Sequence, residues 1–431
     1  MNSADPHIVI LGGGFAGLSA AKALRNAPVR ITLVDRQNHH LFQPLLYQVA
    51  TAGLSAPDIA QPLRHILADQ KNCTTLMDEV TGIDTENNRV HLKDSTLFYD
   101  YLIVGLGAKT GYFGNDQWEK HAPGLKSLDE AKALRRKLLM AFEKAETCDN
   151  PAEWEKLLTF VVVGGGPTGV EMAGAMAELS RRVLAKDFRR IDPTRAHIHL
   201  VEAGPRLLPM FAESQSEYTK QRLENMGVTI HLNAPVSQME DGRVHMGEHT
   251  IEAGTTIWAA GVEGNPVIRT LKEAPLARGN RVDVAPDLSL PGRPNVFIAG
   301  DLASLTDAKG KKVPGVAPAA MQMGKHAAKQ ILRDLKGKSR KDFVYLDKGN
   351  MATIGRSSAV AEFAGMRTNG AFAWLMWLGV HLVFLLGLRN RIMVFLHWVW
   401  SYLTWQRGAR IITGQDHPEE TGKNRQEQTA A

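Results

Sequence analysis

Cysteine is nearly absent: Cys73 and Cys148 are the only two in 431 residues. They lie far apart and form no C-x-x-C or metal-ligand spacing. A reducing compartment is therefore expected and a structural metal is not. Dense basic blocks are missing too. The formal net charge of +6 is mild, and its spread gives no reason to expect nucleic acid. No secretory signal is expected, because Asp5 leads straight into a strand-like run without a basic region or a separate apolar segment. The longest apolar run, Ala371 to Leu388, has 18 residues. That is borderline against the roughly 20 a spanning helix needs. Acidic residues are missing altogether between Glu362 and Asp416.

What is present starts near the N-terminus. His7 to Asp35 reads as a strand (His7 to Leu11), a glycine-rich turn, a helix (about Ala16 to Asn26) and a second strand (Arg30 to Val34) that ends in an acid. Gly12, Gly14 and Gly17 fit G-x-G-x-x-G. The first makes a tight turn, the second lets a pyrophosphate approach, and the third lets helix and strand pack closely. The helix N-terminus offers free N–H groups to phosphate, and Asp35 is placed to accept from a ribose. The alternative is a glycine-rich turn in an ordinary α/β domain.

The pattern recurs. FVVVGGGPTGVEMAGAM echoes IVILGGGFAGLSAAKAL, and Glu202 closes HIHLVE as Asp35 closes ITLVD. Gly164, Gly166 and Gly169 repeat the glycine spacing, with Pro167 and Thr168 inside the turn. This is a duplicated βαβ unit. Two dinucleotides, one passing electrons to the other, is the economical reading. Glu202 favours NADH over NADPH, because a carboxylate there repels a 2′-phosphate. Arg206 is close enough in sequence to pair with such a phosphate. The expected fold is α/β, with two Rossmann-like dinucleotide-binding domains and a C-terminal helical region.

Other stretches are less specific. His39 and His40 are adjacent and so point apart, which argues against a metal. Leu41 to Ala52 is apolar and aromatic, with Gln43 and Gln48 embedded; it suits either a chain lying over a planar ring or plain core packing. Ser55 looks like an N-cap, with Pro57 early in a helix that carries Gln61 and Arg64. Thr74 to Asp84 and Arg89 to Lys93 read as strands. Tyr101 to Val104 suits a third parallel strand, and Leu125 to Thr147 a long helix. Leu179 to Thr194 reads as an extended helix end and loop. Val228 to Leu232, Val244 to Met246 and Thr255 to Ala259, before Gly261, look like strands. Asp301, after the strand of NVFIAGD, fits either a sugar-hydroxyl contact or a helix cap. The helix Pro318 to Leu335 points its N-terminal dipole where it suits an anionic flavin.

The last region holds five of the eight tryptophans and, within its acid-free stretch, Arg367, Arg389, Arg391, Arg407 and Arg410. After the 18-residue run, Ile392 to Trp405 is a shorter apolar run. A spanning helix, a buried core or dimer interface, and an interfacial anchor remain open; the last accounts for the tryptophans and the missing acids together. The tail beyond Asp416 is polar and is expected to be disordered.

In ILGGGFAGL, HHLFQPLLYQVATAGLS, VVVGGGPTGVEMAG, VFIAGD and RNR…WSYLTWQRGARI, the chain resembles the bacterial type II NADH dehydrogenases. These are single-subunit NADH:quinone oxidoreductases of the two-dinucleotide flavoprotein superfamily. The resemblance implies FAD in the first fold (1–115 with 286–340) and NADH in the second (116–285). It also implies a C-terminal region (341–431) with a monotopic anchor at about 370–412, and a homodimer. FAD contacts fall on Gly12, Gly14, Phe15, Ala16, Gly17, Asp35, Arg36, Val80 and Asp301, with Gln48 and Ala319 added. NADH contacts fall on Gly164, Gly166, Pro167, Thr168, Gly169, Glu171, Glu202 and Gly261. Glu171 matches the family's nucleotide-site glutamate and is the catalytic candidate, although an acid early in a helix also merely favours the dipole. Where the family commonly has an Ala-Gln pair near the quinone, Pro318 stands in the place of that Gln and is followed by Ala319; Gln322 is expected to take the polar role.

The implied reaction is non-proton-pumping: hydride from NADH to FAD, then two electrons to a membrane quinone, ubiquinone or menaquinone. The implied location is the cytoplasmic face of the bacterial inner membrane, held peripherally on the bilayer surface. Three rivals are weighed. A sulfide:quinone or disulfide reductase needs a reactive cysteine pair by the flavin. A soluble reductase of a small iron–sulfur protein gives no reason for the Trp- and Arg-rich tail. A non-enzymatic FAD/NADH redox sensor differs only in having no turnover.

Overall fold

The computed structural model describes residues 5–271 and 274–413; the tail expected to be disordered lies outside them. Along the chain the helices that bear on the site are α1 (Phe15–Ala23), α2 (Leu46–Ala50), α3 (Leu128–Thr147), α4 (Pro167–Glu178), α5 (Ala317–Asp334), α6 (Gly370–Phe384) and α7 (Leu388–Thr404).

Two sheets carry the architecture, the second wholly parallel and the first parallel except for its antiparallel edge strand Ser289–Leu290. The first runs in the order Ser289–Leu290, Arg293–Ile298, Tyr101–Val104, His7–Leu11, Arg30–Asp35, Cys73–Met77. Ile10 pairs with Leu33 on one side and Ile103 on the other, both in parallel register. These strands are buried on both faces, which is why they read as continuous β-branched and leucine runs. α1 and α5 pack so closely on one another that a Cβ on Gly324 would stand 2.0 Å from the Ala16 carbonyl oxygen.

The second sheet runs Val228–His231, His197–Val201, Thr159–Val163, Thr255–Trp258, with every pair parallel. Its core is shared with α2, α3, α4 and the C-terminal helices. The first sheet draws strands from both sides of the stretch that builds the second. Cys73 begins the edge strand of the first sheet, and the expected run Thr74 to Asp84 is two strands, Cys73–Met77 and Val80–Asp84.

Ser55 does cap a helix, through a reciprocal box with Asp58. That helix, however, is a single turn, Ala56–Ile59. Gln61 then lies in the strand Ala60–Pro62, and Arg64 in the next helical turn, Leu63–Ile66. The expected single helix is therefore corrected. Pairing of Leu41 with Ala60 and of His39 with Pro62 pulls the intervening residues extended.

The C-terminal region is a three-stranded antiparallel sheet, Asn350–Thr353, Ala359–Phe363 and Met366–Asn369, followed by α6 and α7. The long apolar run is not one helix. α6 ends at Phe384, and Gly387 adopts φ +82 before α7 starts. A Cβ on Gly387 would stand 1.8 Å from the Gln61 side-chain amide, so only glycine fits this crossing. Among the described residues no helix is long and apolar enough to cross a membrane. Each helix buries one stripe (Ala373 and Trp377; Asn390, Val394 and Trp398) and leaves Phe372, Leu375, Val383, Ile392, Phe395, Leu396 and Leu403 facing outward.

Candidate active site

The two glycine turns are built alike. Gly12 (φ +94) and Gly164 (φ +114) both use backbone geometry that L-residues rarely adopt. Gly17 and Gly169 press on the carbonyl oxygens of Gly12 and Gly164, at 1.9 and 1.8 Å from an added Cβ. Over Gly14 and Gly166, by contrast, an added Cβ would meet nothing within 4 Å. Both glycines N-cap a helix without side-chain caps, which leaves N–H groups facing open space.

The acids match as well. The Asp35 carboxylate accepts from the Gly13 N–H at 2.6 Å and from the Gln37 N–H at 2.7 Å. The Glu202 carboxylate accepts from the Gly165 N–H at 2.6 Å and from the Gly204 N–H at 2.7 Å. In each, the acid closing the second strand steadies the turn that closes the first. Burial raises the Asp35 pKa against the pull of its backbone donors. His40 braces the same turn from below, donating from Nδ1 to the Gly13 carbonyl at 2.9 Å. Burial lowers its pKa to about 4, so it is neutral. Among the described residues no cluster suits a metal.

A cleft of about 400 Å³ lies over the first turn. Gly12, Gly14, Phe15, Ala16, Asp35, Arg36, Val80 and Asp301 all line it. Gly17 lies behind the turn. Ala319 is buried in the core, and its neighbour Ala320 lines the cleft instead.

Gln48 faces a second, smaller chamber of about 60 Å³, together with Tyr47, Glu171, Thr353, Trp377 and Trp398. Glu171 lines this chamber and is part-buried. Burial pushes its pKa up to about 8, opposed by the Thr353 N–H and the Trp377 indole. At neutral pH its carboxyl mostly keeps its proton. Tyr47 accepts from the Gln48 amide at 2.9 Å. Tyr47 belongs to the Leu41 to Ala52 stretch already singled out, but Trp377 and Trp398, counted in the sequence among the tryptophans of an interfacial anchor, are corrected to buried residues of this wall. Their place beside Glu171, like that of Thr353, depends on segments more than 300 residues from Tyr47.

Gln322 is placed differently. Both ends of its amide are used on Leu346, accepting from its N–H and donating to its carbonyl at 3.0 Å each. It lines neither chamber. Gly261 lies under the Phe113 ring, where an added Cβ would be 2.8 Å from Cζ. Arg206 spends its guanidinium on the Pro209 carbonyl at 2.9 Å. Cys73 is part-buried, with its thiol pKa pushed up to about 11 by burial. Neither cysteine lines the cleft or the chamber, which leaves the sulfide:quinone and disulfide-reductase rival without its reactive pair.

Comparison with known proteins agrees with this geometry. The pyridine nucleotide-disulphide oxidoreductase family matches residues 6–324, and the NDH2 C-terminal domain matches residues 348–405. The type II NADH:quinone oxidoreductase Ndh of Mycobacterium tuberculosis is 43% identical over 425 residues, covering 95% of this chain and 90% of its own. Its relative NdhA in the same organism is 45% identical, covering 95% and 89%. A solved structure of NDH2 from Plasmodium falciparum in complex with NADH shares the fold, with a TM-score of 0.87 over 95% of this chain and all of its own, at 23% identity. Identity across nearly the whole length, with both halves of the chain matched, makes the assignment: the chain belongs to the type II NADH:quinone oxidoreductases.

Proposed function

We propose that the first glycine turn and its 400 Å³ cleft hold FAD, that the second turn admits NADH, and that the chamber around Glu171 receives the quinone ring. As a member of its family the protein is a non-proton-pumping NADH:quinone oxidoreductase. The observation that carries the division of labour is the duplicated turn with its acid, one copy opening on a large cleft and the other heading the helix that carries Glu171.

The residues fit FAD. The open space over Gly14 and the uncapped N–H groups of α1 suit a pyrophosphate. Asp35 suits an adenosine ribose, and Asp301 lies in the same cleft. When bound, FAD supplies the two-electron redox chemistry that links NADH oxidation to quinone reduction. The protein does the rest. Glu202 and the α4 N-terminus orient the nucleotide, Glu171 holds a proton in a water-poor chamber, and the aromatic wall of Trp377 and Trp398 presents flat apolar faces to a ring. Two protons must accompany the electrons to a quinone, and a carboxyl still protonated near pH 7 is suited to donate one.

The outward apolar faces of α6 and α7, with Arg389 and Arg391 nearby, support seating on a bilayer surface without crossing it. NADH is a cytoplasmic reductant, which supports the cytoplasmic face. The homodimer is implied by the resemblance; light scattering of the detergent-solubilised protein reads it directly.

The test is an absorbance spectrum of purified protein, first with anaerobic NADH and then with a quinone. Flavin bleaching followed by recovery is expected. Bleaching without recovery on any quinone would leave a sensor or a reductase of some other acceptor.

A further inference from the structure

A small chamber and a large cleft lie side by side and share a boundary. The outer cleft, of about 980 Å³, lies between α3, α7 and residues 406–412; Leu139, Leu184, Phe188 and Trp400 make the apolar part of its wall, and Glu143, Glu146, Asp187 and His397 a polar part. The inner chamber beside Glu171 has about 60 Å³. Gly53, Ser401 and Arg407 line both. A cavity on the order of 150 Å³ is what admits a benzene ring. A quinone ring therefore cannot sit beside Glu171 until a wall moves.

Most walls are pinned. α4 lies in the core, and α6 and α7 are held by Trp377, Trp398 and the buried Asn390, which donates to the Pro57 and Asp58 carbonyls at 3.0 and 3.1 Å. The stretch 405–412 is different. It contains no helix or strand and is fastened by polar clasps. Arg407, its side chain 9% exposed, donates to Glu178 at 3.1 Å and to the Thr51 carbonyl at 2.9 Å. Arg410 pairs with Asp187. Trp405 adopts φ +61, a left-handed conformation costly for a bulky residue, and lies under the Arg356 guanidinium at 4.3 Å. Glu178 ends α4, the same helix that begins at the second glycine turn and carries Glu171.

We propose that residues 405–412 are a strap that closes the inner chamber against the outer cleft, and that its release admits the quinone ring while the apolar wall of the cleft takes the acceptor's hydrocarbon tail. This rests on the quinone-reductase reading above. The strap, clasped to α4, is thus the moving part of an otherwise rigid acceptor site.

Arg407→Met leaves the Glu178 carboxylate buried without its partner and so risks unfolding the protein. The strap is better locked than cut. Asp187→Cys with Arg410→Cys in the full chain is joined by a short bis-maleimide. Each thiol adds across a maleimide double bond, forming a C–S bond with its proton passing to carbon, so no oxidant is needed. The same variant treated with a mono-maleimide, and the unmodified chain treated with the bis-maleimide, control for labelling at Cys73 and Cys148.

Flavin bleaching by NADH should keep its rate in all three samples. Reoxidation by a tailed quinone should slow several-fold only in the cross-linked one. Equal reoxidation rates in the cross-linked and mono-labelled variant would overturn the strap. Failure of the unmodified chain to be reoxidised by any quinone would overturn the underlying reading, and the strap with it.

Discussion

The indole N–H of Trp398 donates to the side-chain oxygen of Gln48 across 2.8 Å, joining residues 350 apart in the chain. The nitrogen of the same amide donates to the Tyr47 hydroxyl at 2.9 Å. The amide is therefore fixed at both ends, and α7 is tied to α2 at the edge of the chamber. Trp398→Phe keeps an aromatic ring but loses the indole N–H and leaves the part-buried Gln48 oxygen without that donor, at a cost of about 1–3 kcal/mol. A double-mutant cycle with Gln48→Leu should show a coupling of about 1 kcal/mol in thermal or urea unfolding. Strictly additive losses would mean the bond contributes nothing.

Glu171→Gln tests the protonated carboxyl. With a folded pKa of about 8 against an ordinary 4.5, the wild-type group favours the folded state fully below pH 4.5. That contribution is lost as pH rises towards 8. The wild-type melting temperature should therefore fall relative to Glu171→Gln across this window. Quinone-driven flavin reoxidation in the wild type should decline as pH passes about 8. In the variant it should be slower and lack that inflection. An unchanged pH profile in the variant would remove the proton-donor role.

Gly17→Ala places a methyl group 1.9 Å from the Gly12 carbonyl oxygen. Neither backbone can retreat, because Gly12 itself abuts Gly105. Overpacking of this kind costs about 1–3 kcal/mol, and it falls on the turn that faces the pyrophosphate. The purified variant should be depleted of flavin; a full complement of FAD per chain would contradict the assignment of the first turn.

Glu202→Ala removes the acceptor of the Gly165 and Gly204 N–H groups as well as the negative charge. Binding of NADH should weaken and discrimination against NADPH should relax, both seen in titrations of the nucleotide. Unaltered selectivity would assign Glu202 to the turn alone.

Membrane seating is tested without truncation. Removing everything from Gly370 onward would strip Trp377 and Trp398 from a core they share with Tyr47, so loss of FAD in a truncated chain would have a trivial cause. Replacing the outward Phe395, Leu396 and Leu403 by serine leaves the buried stripes intact. Flotation with anionic liposomes should be lost while flavin content and NADH bleaching persist. Retained flotation would move the anchor elsewhere.

The dinucleotide turns were legible because everything they need is close in sequence: three glycines, a strand before, a helix after and an acid closing the next strand. His40 stood out in the sequence only as one of an adjacent histidine pair, and its bond to the Gly13 carbonyl could not be read, since a histidine brace has no spacing of its own. The chamber was only half visible. Glu171 and Gln48 could be singled out, but Trp377, Trp398 and Thr353 reach them through tertiary packing across most of the chain. The long apolar run misled in length, because its break depends on Gln61 crowding Gly387 rather than on any proline or charge. Hydrophobicity counts the run, and only the contact divides it.

Synthesis imposes an order on the interleaved sheets. The first sheet waits for Arg293–Ile298, and α1 waits for α5, until nearly three-quarters of the polypeptide has left the ribosome. The second sheet, by contrast, is drawn from one uninterrupted stretch and is able to form on emergence. The strands of the second sheet are thus free to pair before those of the first, and the cleft over the first turn gains Ala299, Gly300, Asp301 and Ala320 only with the late strand and helix.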